Sequence, residues 1–115
     1  MTRTPQEVMT HHSQALGAGD LDELVADFAD DAVVITPAGA KRGKDGIREA
    51  FTQLIADLPD AAFTAKSQVY GDNVLLVAWT ADTAESRADD GVDTFVFRDG
   101  LIRVQTVYYT LQRKG

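Results

Sequence analysis

The sequence predicts an α+β fold in which three N-terminal helices pack on one face of a strongly curved, mostly antiparallel sheet. Apolar residues recur at helical spacing in the first half of the chain, whereas β-branched and aromatic runs alternate with turn signals from Ala62 onward. Because helices and long strands are segregated along the chain, we expect the helices to form one layer against the sheet. A curved sheet closed by helices encloses a cone-shaped space, and concave sites of this kind are typical ligand pockets.

Two helices are predicted before the first strand. The first runs from Pro5 to Leu16, with Pro5 in its first turn and one apolar face formed by Val8, Met9, His12, Ala15 and Leu16. The segment Gly17-Ala-Gly19 ends it, and Asp20 with Glu23 resembles a capping box that opens the second helix. The expected buried face of that second helix consists of Leu21, Leu24, Val25 and Phe28, and Asp30-Asp31 ends it.

A short strand from Ala32 to Thr36 and a third helix follow. Pro37 ends the strand. The helix is predicted from the spacing of Ile47, Phe51, Leu54, Ile55 and Leu58, and Pro59 marks its end.

The remainder is predicted to be four long antiparallel strands. They are Phe63 to Tyr70, Val74 to Ala84, and a pair between Val92 and Thr110, with a polar turn at Arg87 to Gly91. The segment from Val74 to Trp79 lacks polar alternation, so both of its faces should be covered. Helices can cover only one face, and we therefore expect a homodimer through the outer face of the sheet.

Asp93 is the most informative polar residue, because it lies among Val92, Phe95 and Phe97 in a strand that should be half buried. A carboxyl group there needs a partner or must keep its proton. His12 lies near the middle of the apolar face of the first helix. It is either a functional imidazole or a core histidine with a backbone partner.

The turn before the last strand decides which side chains share a face with Asp93. A two-residue turn at Asp99-Gly100 places Asp93 opposite Thr106, with Tyr108 and Thr110 on the same face. A three-residue loop at Arg98-Asp99-Gly100 places it opposite Gln105 instead, with Arg103, Val107 and Tyr109 on that face.

Composition limits the classes of function. The 115 residues suffice for one domain, spanning 1–115. The net charge of −7, with no basic cluster beyond Lys41-Arg42-Lys44, disfavours nucleic acid or an anionic membrane as partner. The sequence has no cysteine and therefore no thiolate ligand, its first residues lack the apolar segment of a signal peptide, and no apolar run has the length of a membrane span. We therefore expect a cytoplasmic protein without metal or cofactor.

Three segments carry a family resemblance: Ala15 to Pro37, Gly43 to Phe51, and Val92-Asp-Thr-Phe-Val-Phe-Arg-Asp-Gly100. Together they resemble the nuclear-transport-factor-2-like superfamily, and within it the SnoaL-like and ketosteroid-isomerase-like members. The resemblance covers essentially the whole chain and implies the cone-shaped, cystatin-like fold. It is weakly informative about activity, because this fold hosts isomerases, cyclases, hydrolases, dehydratases and non-enzymatic binders.

In the isomerases of this family, a tyrosine and a protonated aspartic acid bind the developing oxyanion, and a second aspartate is the base. By position, the resemblance puts the protonated acid on Asp93, the oxyanion donor on His12 and the base on Thr36, whose hydroxyl cannot serve as a base near neutral pH. A further tyrosine of that family corresponds to Phe51. The resemblance also favours the three-residue loop, which keeps Gln105, Val107 and Tyr109 on the pocket face.

Three hypotheses follow. In the first, the protein is a lyase-, isomerase- or cyclase-type enzyme that moves a proton on a small hydrophobic carbonyl compound. His12 would be its acid or base and Asp93 the partner of His12 or a neutral donor; the ligand contacts would be Thr36, Phe28, Phe51, Trp79, Phe95, Gln105 and Tyr109. In the second, the domain is a non-catalytic ligand binder or a dimeric scaffold, whose cavity holds an apolar ligand or nothing. In the third, the pair is purely structural, and His12 and Asp93 satisfy each other across a filled core.

Overall fold

The computed structural model describes residues 2–115 and contains one sheet with helices packed against it. The helices are α1 (Pro5–Ala18), α2 (Leu21–Ala26) and α3 (Gly43–Asp57). The strands are β1 (Phe28–Thr36), β2 (Gly39–Arg42), β3 (Ala62–Gly71), β4 (Val74–Asp82), β5 (Ser86–Arg98), β6 (Leu101–Tyr108) and β7 (Gln112–Arg113). None of the helices within residues 2–115 has both the length and the apolar character needed to cross a membrane.

The strands follow the order β2-β1-β6-β5-β4-β3 across the sheet, and β7 pairs with β5. The pair β1–β6 is parallel, and the other pairs are antiparallel. The predicted α+β fold with a mostly antiparallel sheet is therefore confirmed. Its inner face, together with the helices, buries a core that includes Phe28, Ile47, Leu75, Phe95 and Ile102.

The first helix begins at Pro5 as predicted and ends at Ala18, two residues beyond the predicted Leu16. The Thr4 hydroxyl accepts a hydrogen bond from the Glu7 backbone N–H at 3.1 Å, and the Glu7 carboxylate accepts from the Thr4 N–H at 2.8 Å, which forms a capping box. Gly19 ends the helix in the left-handed conformation, with a φ of 67°.

The position of α1 against the sheet is held by a buried carboxylate, that of Asp27. Arg3 Nη1 donates to it at 2.9 Å, and His11 Nδ1 lies 2.7 Å from its other oxygen. Arg3 also donates to the Gly100 carbonyl at the β5–β6 turn. Arg3 and His11 are thereby joined through Asp27, and Arg3 is also joined to the β5–β6 turn. Because His12 follows His11 on α1, these contacts also help to hold His12 in place.

The second helix is shorter than predicted. It ends at Ala26, and Phe28 begins β1 rather than completing the helical face. Phe28 follows Leu24 by four residues and Val25 by three, which is a helical spacing. An apolar residue at this position fits the start of a strand equally well. Asp20 caps α2 through the Glu23 N–H as predicted, whereas the Glu23 side chain turns to His11 Nε2 at 3.2 Å.

Other parts of the sheet also differ from the prediction, and β4 ends at Asp82 rather than Ala84. The segment Arg87 to Gly91 belongs to β5, and the turn lies earlier, where the Thr83 hydroxyl contacts Ser86. β2 was not predicted, and it pairs with the end of β1 across the turn at Pro37-Ala38. The last long strand stops at Tyr108 rather than Thr110, and the short strand β7 follows.

The register of β5 against β6 matches neither predicted alternative. The turn is the two-residue one, because Arg98 pairs with Leu101 and both Asp99 and Gly100 have positive φ, of 54° and 76°. A bulge at Arg103 then shifts the register by one residue, so Asp93 lies opposite Val107. The predicted three-residue loop is wrong, yet Gln105 and Val107 still share the inner face with Asp93.

Candidate functional site

A cavity of about 350 Å³ lies between the helices α1 and α3 and the inner face of β3 to β6. This volume is near the lower end of the range of about 300–1,000 Å³ that is usual for ligand pockets. Most of its wall is apolar, and its polar side chains include His12, Ser13, Gln68, Asp93 and Gln105. The predicted site residues Phe51, Trp79 and Phe95 also line it.

Asp93 is held by the two strands on either side of its own. Trp79 on β4 donates from Nε1 to Asp93 Oδ1 at 3.0 Å, and Gln105 on β6 donates from Nε2 to Oδ2 at 3.0 Å. Burial raises the pKa of Asp93 from 3.8 to about 6, although both hydrogen bonds oppose this rise. The carboxyl group is therefore fixed in orientation and titrates close to neutral pH.

Gly91 makes the contact between Trp79 and Asp93 sterically feasible. Trp79 pairs with Gly91 across β4 and β5, and its indole lies directly on the Gly91 backbone. A Cβ atom at residue 91 would overlap the indole ring, so the side chain must be absent there. The indole can then extend along β5 to reach Asp93, two residues further on.

His12 lies in an aromatic cage. Its ring meets those of Phe28, Phe51 and Phe95 edge to face, with centroid distances of 6.0, 5.6 and 5.4 Å. The residue is only 3% exposed, and its Nδ1 has no hydrogen-bond partner among residues 2–115. Burial lowers the pKa of His12 from 6.5 to about 4, which outweighs the opposite effect of the Asp27 carboxylate. The imidazole is therefore neutral at neutral pH.

The predicted pairing of His12 with Asp93 is not present. Both side chains line the same cavity, but the carboxylate is bonded to Trp79 and Gln105, and His12 makes no hydrogen bond to it. The alternative of a core histidine with a backbone partner also fails, because Nδ1 is unpartnered within the described chain. The two groups therefore face the cavity independently.

Two predicted ligand contacts lie in a different space. Thr36 and Tyr109 line an open groove of about 740 Å³ between α3, the β1–β2 turn and the end of β6. The groove shares only Phe51, Leu54 and Val107 with the cavity, so these three side chains separate the two spaces. The Thr36 hydroxyl accepts from the Ala38 N–H at 3.1 Å and stabilises the turn.

Tyr109 contacts the cavity only indirectly. Its hydroxyl donates to Asp57 Oδ2 at 2.9 Å, and its ring packs on Trp79 with the centroids 5.5 Å apart. Burial and the adjacent Asp57 carboxylate raise the pKa of the Tyr109 phenol. Phe28 is likewise not in the cavity wall; it is fully buried behind His12.

The sequence predicts Trp79 only as an apolar wall and Gly91 as part of a turn, and it does not indicate the role of either residue in holding Asp93. Met9, Ser13 and Leu16 also line the cavity, together with His12. Their separation by three or four residues on α1 is the signal that could have found them. Phe63, Gln68 and Val77 line it from the two strands opposite, β3 and β4.

The arrangement provides two chemical capabilities. A carboxylate that titrates near neutral pH can accept and return a proton. A neutral imidazole can donate a hydrogen bond without carrying a charge, and an apolar surrounding strengthens that bond. Both capabilities are present in one cavity, on α1 and β5.

Comparison with known structures gives the same fold. The chain superimposes on a proposed polyketide cyclase, IdmH from Streptomyces antibioticus, with a TM-score of 0.74, 19% identity and coverage of 93% of this chain and 92% of the other. A proposed ketosteroid isomerase from Kribbella flavida gives a TM-score of 0.76 at 16% identity, with 92% and 77% covered. A protein with a cystatin-like fold from Methylobium petroleophilum gives 0.73 at 19% identity, with 95% and 83% covered. At these identities the likeness shows the fold alone.

Sequence comparison identifies the family. No curated protein matches the chain. The family model of the SnoaL-like domain matches residues 9–105, a range that includes His12, Trp79, Asp93 and Gln105. The chain therefore belongs to the SnoaL-like domain family.

Proposed function

We propose that this protein is an enzyme that moves a proton next to the carbonyl group of a small apolar compound, through an enolate, as a cyclase or isomerase does. Asp93 is the general base and its conjugate acid returns the proton. His12 donates a hydrogen bond to the developing enolate oxygen. This assignment reverses the roles expected from the sequence, in which His12 was the acid or base.

The roles are reversed because of the two pKa values. A general base is most effective when its pKa lies near the working pH. The pKa of Asp93, about 6, meets this condition, whereas that of His12, about 4, leaves a weakly basic imidazole. A neutral imidazole that keeps its N–H suits the task of an oxyanion donor.

One observation carries the proposal: a carboxylate fixed by Trp79 and Gln105 borders the same apolar cavity as a neutral, unpaired imidazole. The modest volume of the cavity supports a small substrate. The likeness in fold to a proposed polyketide cyclase and to a proposed ketosteroid isomerase supports this class of reaction, because ketosteroid isomerisation uses a carboxylate base and stabilises a developing oxyanion.

The test is exchange of the α-protons of cyclohexanone and acetophenone in D₂O, followed by NMR at about pD 7.5, where Asp93 is ionised. We expect enzyme-dependent exchange that Asp93→Asn lowers by about 10²-fold or more. Asp89→Asn is the matched control, because Asp89 is on the same strand, exposed and outside the cavity. Its exchange rate should equal that of the wild type.

The same experiment separates the enzyme from a ligand binder. Saturable chemical-shift changes of the ketones with no exchange above the rate in buffer would contradict catalysis and support a binding role. Asp93→Asn should remain folded, since asparagine has the same shape and its Oδ1 can accept from Trp79. Circular dichroism of each variant checks this point.

We further propose that the protein forms a homodimer through the outer face of its sheet. The outward side chains Val69 and Leu76 are 62% and 48% exposed in the single chain. Val74, Val92, Tyr108 and Ile35 continue this apolar surface across neighbouring strands. A second copy would cover it, which supports the expectation derived from the apolar run in β4.

A further inference from the structure

The side-chain amide of Gln105 is satisfied at only one of its two ends. Gln105 is 2% exposed, and its Nε2 donates to Asp93 Oδ2 at 3.0 Å. Its Oε1 is buried and has no hydrogen-bond partner among residues 2–115. Buried polar atoms in folded proteins almost always have a partner, so an unpaired one in a cavity wall calls for a reason.

The two protonation states of Asp93 require opposite partners. An ionised carboxylate only accepts hydrogen bonds, whereas a protonated one has an O–H to donate. The indole of Trp79 is a donor only and cannot receive that proton. Of the two groups bonded to Asp93, Gln105 alone carries an acceptor, and that acceptor is the unpaired Oε1.

We propose that Gln105 is a positioning residue that serves both protonation states of Asp93. Its Nε2–H₂ donates to the carboxylate, and half a turn of the amide brings Oε1 round to accept from the carboxylic acid. The rotation exchanges two groups of nearly equal size, so it needs no change in packing. This inference rests on the proposed function, because it describes how the base holds the proton between its two transfers.

The proton balance of the proposed reaction fits this alternation. When the substrate C–H bond breaks, its electron pair moves into the enolate and its proton forms an O–H bond on Asp93. The amide of Gln105 then accepts that O–H and holds it in place. When Asp93 returns the proton to carbon or oxygen of the product, the carboxylate re-forms and the amide donates again.

Few other charges act on Asp93. Tyr109 at the end of β6 is close enough for the Asp93 charge to contribute to its raised pKa, and His12 faces the cavity from α1 as a neutral group. The cavity residues of α3 and β3 carry no charge: they are Phe51, Leu54, Phe63, Thr64, Ala65 and Gln68. The ionisation of Asp93 therefore depends on burial and on its two hydrogen bonds.

Neutron diffraction from deuterated crystals tests the rotation directly. Data are collected at about pH 4.5 and about pH 8, on either side of the Asp93 pKa of about 6. We expect the ND₂ group of Gln105 to face Asp93 at the higher pH. At the lower pH we expect Oε1 to face a deuterated carboxyl group. An ND₂ group that faces Asp93 at both pH values would overturn the proposal.

A variant tests the donor half of the proposal. Gln105→Met keeps the length of the side chain but removes both the charge-assisted hydrogen bond to the carboxylate and the weaker one from the neutral acid. The stronger bond dominates, so the Asp93 pKa should rise by roughly half a unit, measured by ¹³C NMR titration of the labelled carboxyl carbon. Gln68→Met is the matched control, because Gln68 lines the same cavity without bonding to Asp93. Equal titration midpoints in the wild type and Gln105→Met would overturn the proposal. Neither measurement needs turnover, so absence of ketone exchange would reject the proposed function and leave this result unaffected.

Discussion

The indole of Trp79 and the carboxyl group of Asp93 lie on adjacent antiparallel strands and are joined by a hydrogen bond of 3.0 Å from Nε1 to Oδ1. Three features of the sequence meet in this contact. An apolar strand buries the acid, the absence of a side chain at Gly91 lets the indole lie on β5, and a bulge in β6 turns Gln105 towards the other carboxyl oxygen. The contact both orients the carboxylate and limits the rise in its pKa.

Replacement of Trp79 by phenylalanine should raise the pKa of Asp93 further. The variant keeps an aromatic ring against Gly91 but loses the N–H that stabilises the carboxylate. We expect the Asp93 midpoint to move up by about one unit, which is a tenfold change in the ratio of the two protonation states. ¹³C NMR titration measures this shift, and Phe63→Leu, which alters the ring packed on Trp79 without removing a donor, is the control.

Asp93→Asn should change the pH dependence of stability. The folded-state pKa of Asp93 is raised from 3.8 to about 6, so the carboxyl group stabilises the fold below pH 3.8, and this stability is lost as the pH rises through 6. Asparagine does not ionise, so the variant does not lose this stability as the pH rises. We compare the free energy of unfolding of Asp93→Asn with that of the wild type at each pH. The variant's value minus the wild type's should be larger at pH 7 than at pH 3.5 by about 3 kcal/mol. Urea denaturation at both pH values measures the difference, and a constant difference between the two proteins would contradict a raised pKa.

His12→Leu should increase stability and abolish activity. Leucine fills the space among Phe28, Phe51 and Phe95 and removes the unpaired Nδ1, which should add about 1 kcal/mol at neutral pH. The gain should grow as the pH falls from 6.5 towards 4, because the unfolded state then binds a proton that the folded His12 does not. Denaturation at pH 7 and pH 5 tests this expectation. A loss of stability of several kcal/mol would mean that the imidazole is a structural partner.

Leu76→Lys should convert the proposed dimer into a monomer. The side chain is 48% exposed on the outer face of the sheet, and a charge there would be buried without a partner in the dimer. Gln14→Lys adds the same charge at an exposed position on α1 and should leave the dimer unchanged. Sedimentation equilibrium measures the masses. A monomeric wild type would contradict the outer-face dimer, as would a dimer that Leu76→Lys does not weaken.

The sequence predicts the order of the helices and long strands well, since their apolar periodicities are long and regular. It predicts poorly where a boundary or a register depends on distant residues. Phe28 fits the helical period of α2, yet it pairs with Ile102 in the sheet. The bulge at Arg103 coincides with ion pairs from Arg98 and Arg103 to Asp31 on β1, and a contact across 67 residues cannot be derived from a local turn signal.

The same limit applies to the site. The position of Asp93 among apolar residues indicates a buried carboxyl group, and the structure places that group at the cavity. The identity of its partners depends on the register of three strands and on the space above Gly91. For this reason His12 was expected to pair with Asp93, whereas Trp79 and Gln105 hold it.

The pH dependence of α-proton exchange tests the central claim most directly, because it reports the protonation state in which Asp93 acts. We predict that the exchange rate of cyclohexanone rises with pH through a midpoint of about 6 in the wild type. Asp93→Asn should remove both the rise and most of the rate. A rate that does not depend on pH between about 4 and 8, or one that Asp93→Asn leaves unchanged, would contradict a cavity carboxylate acting as the base.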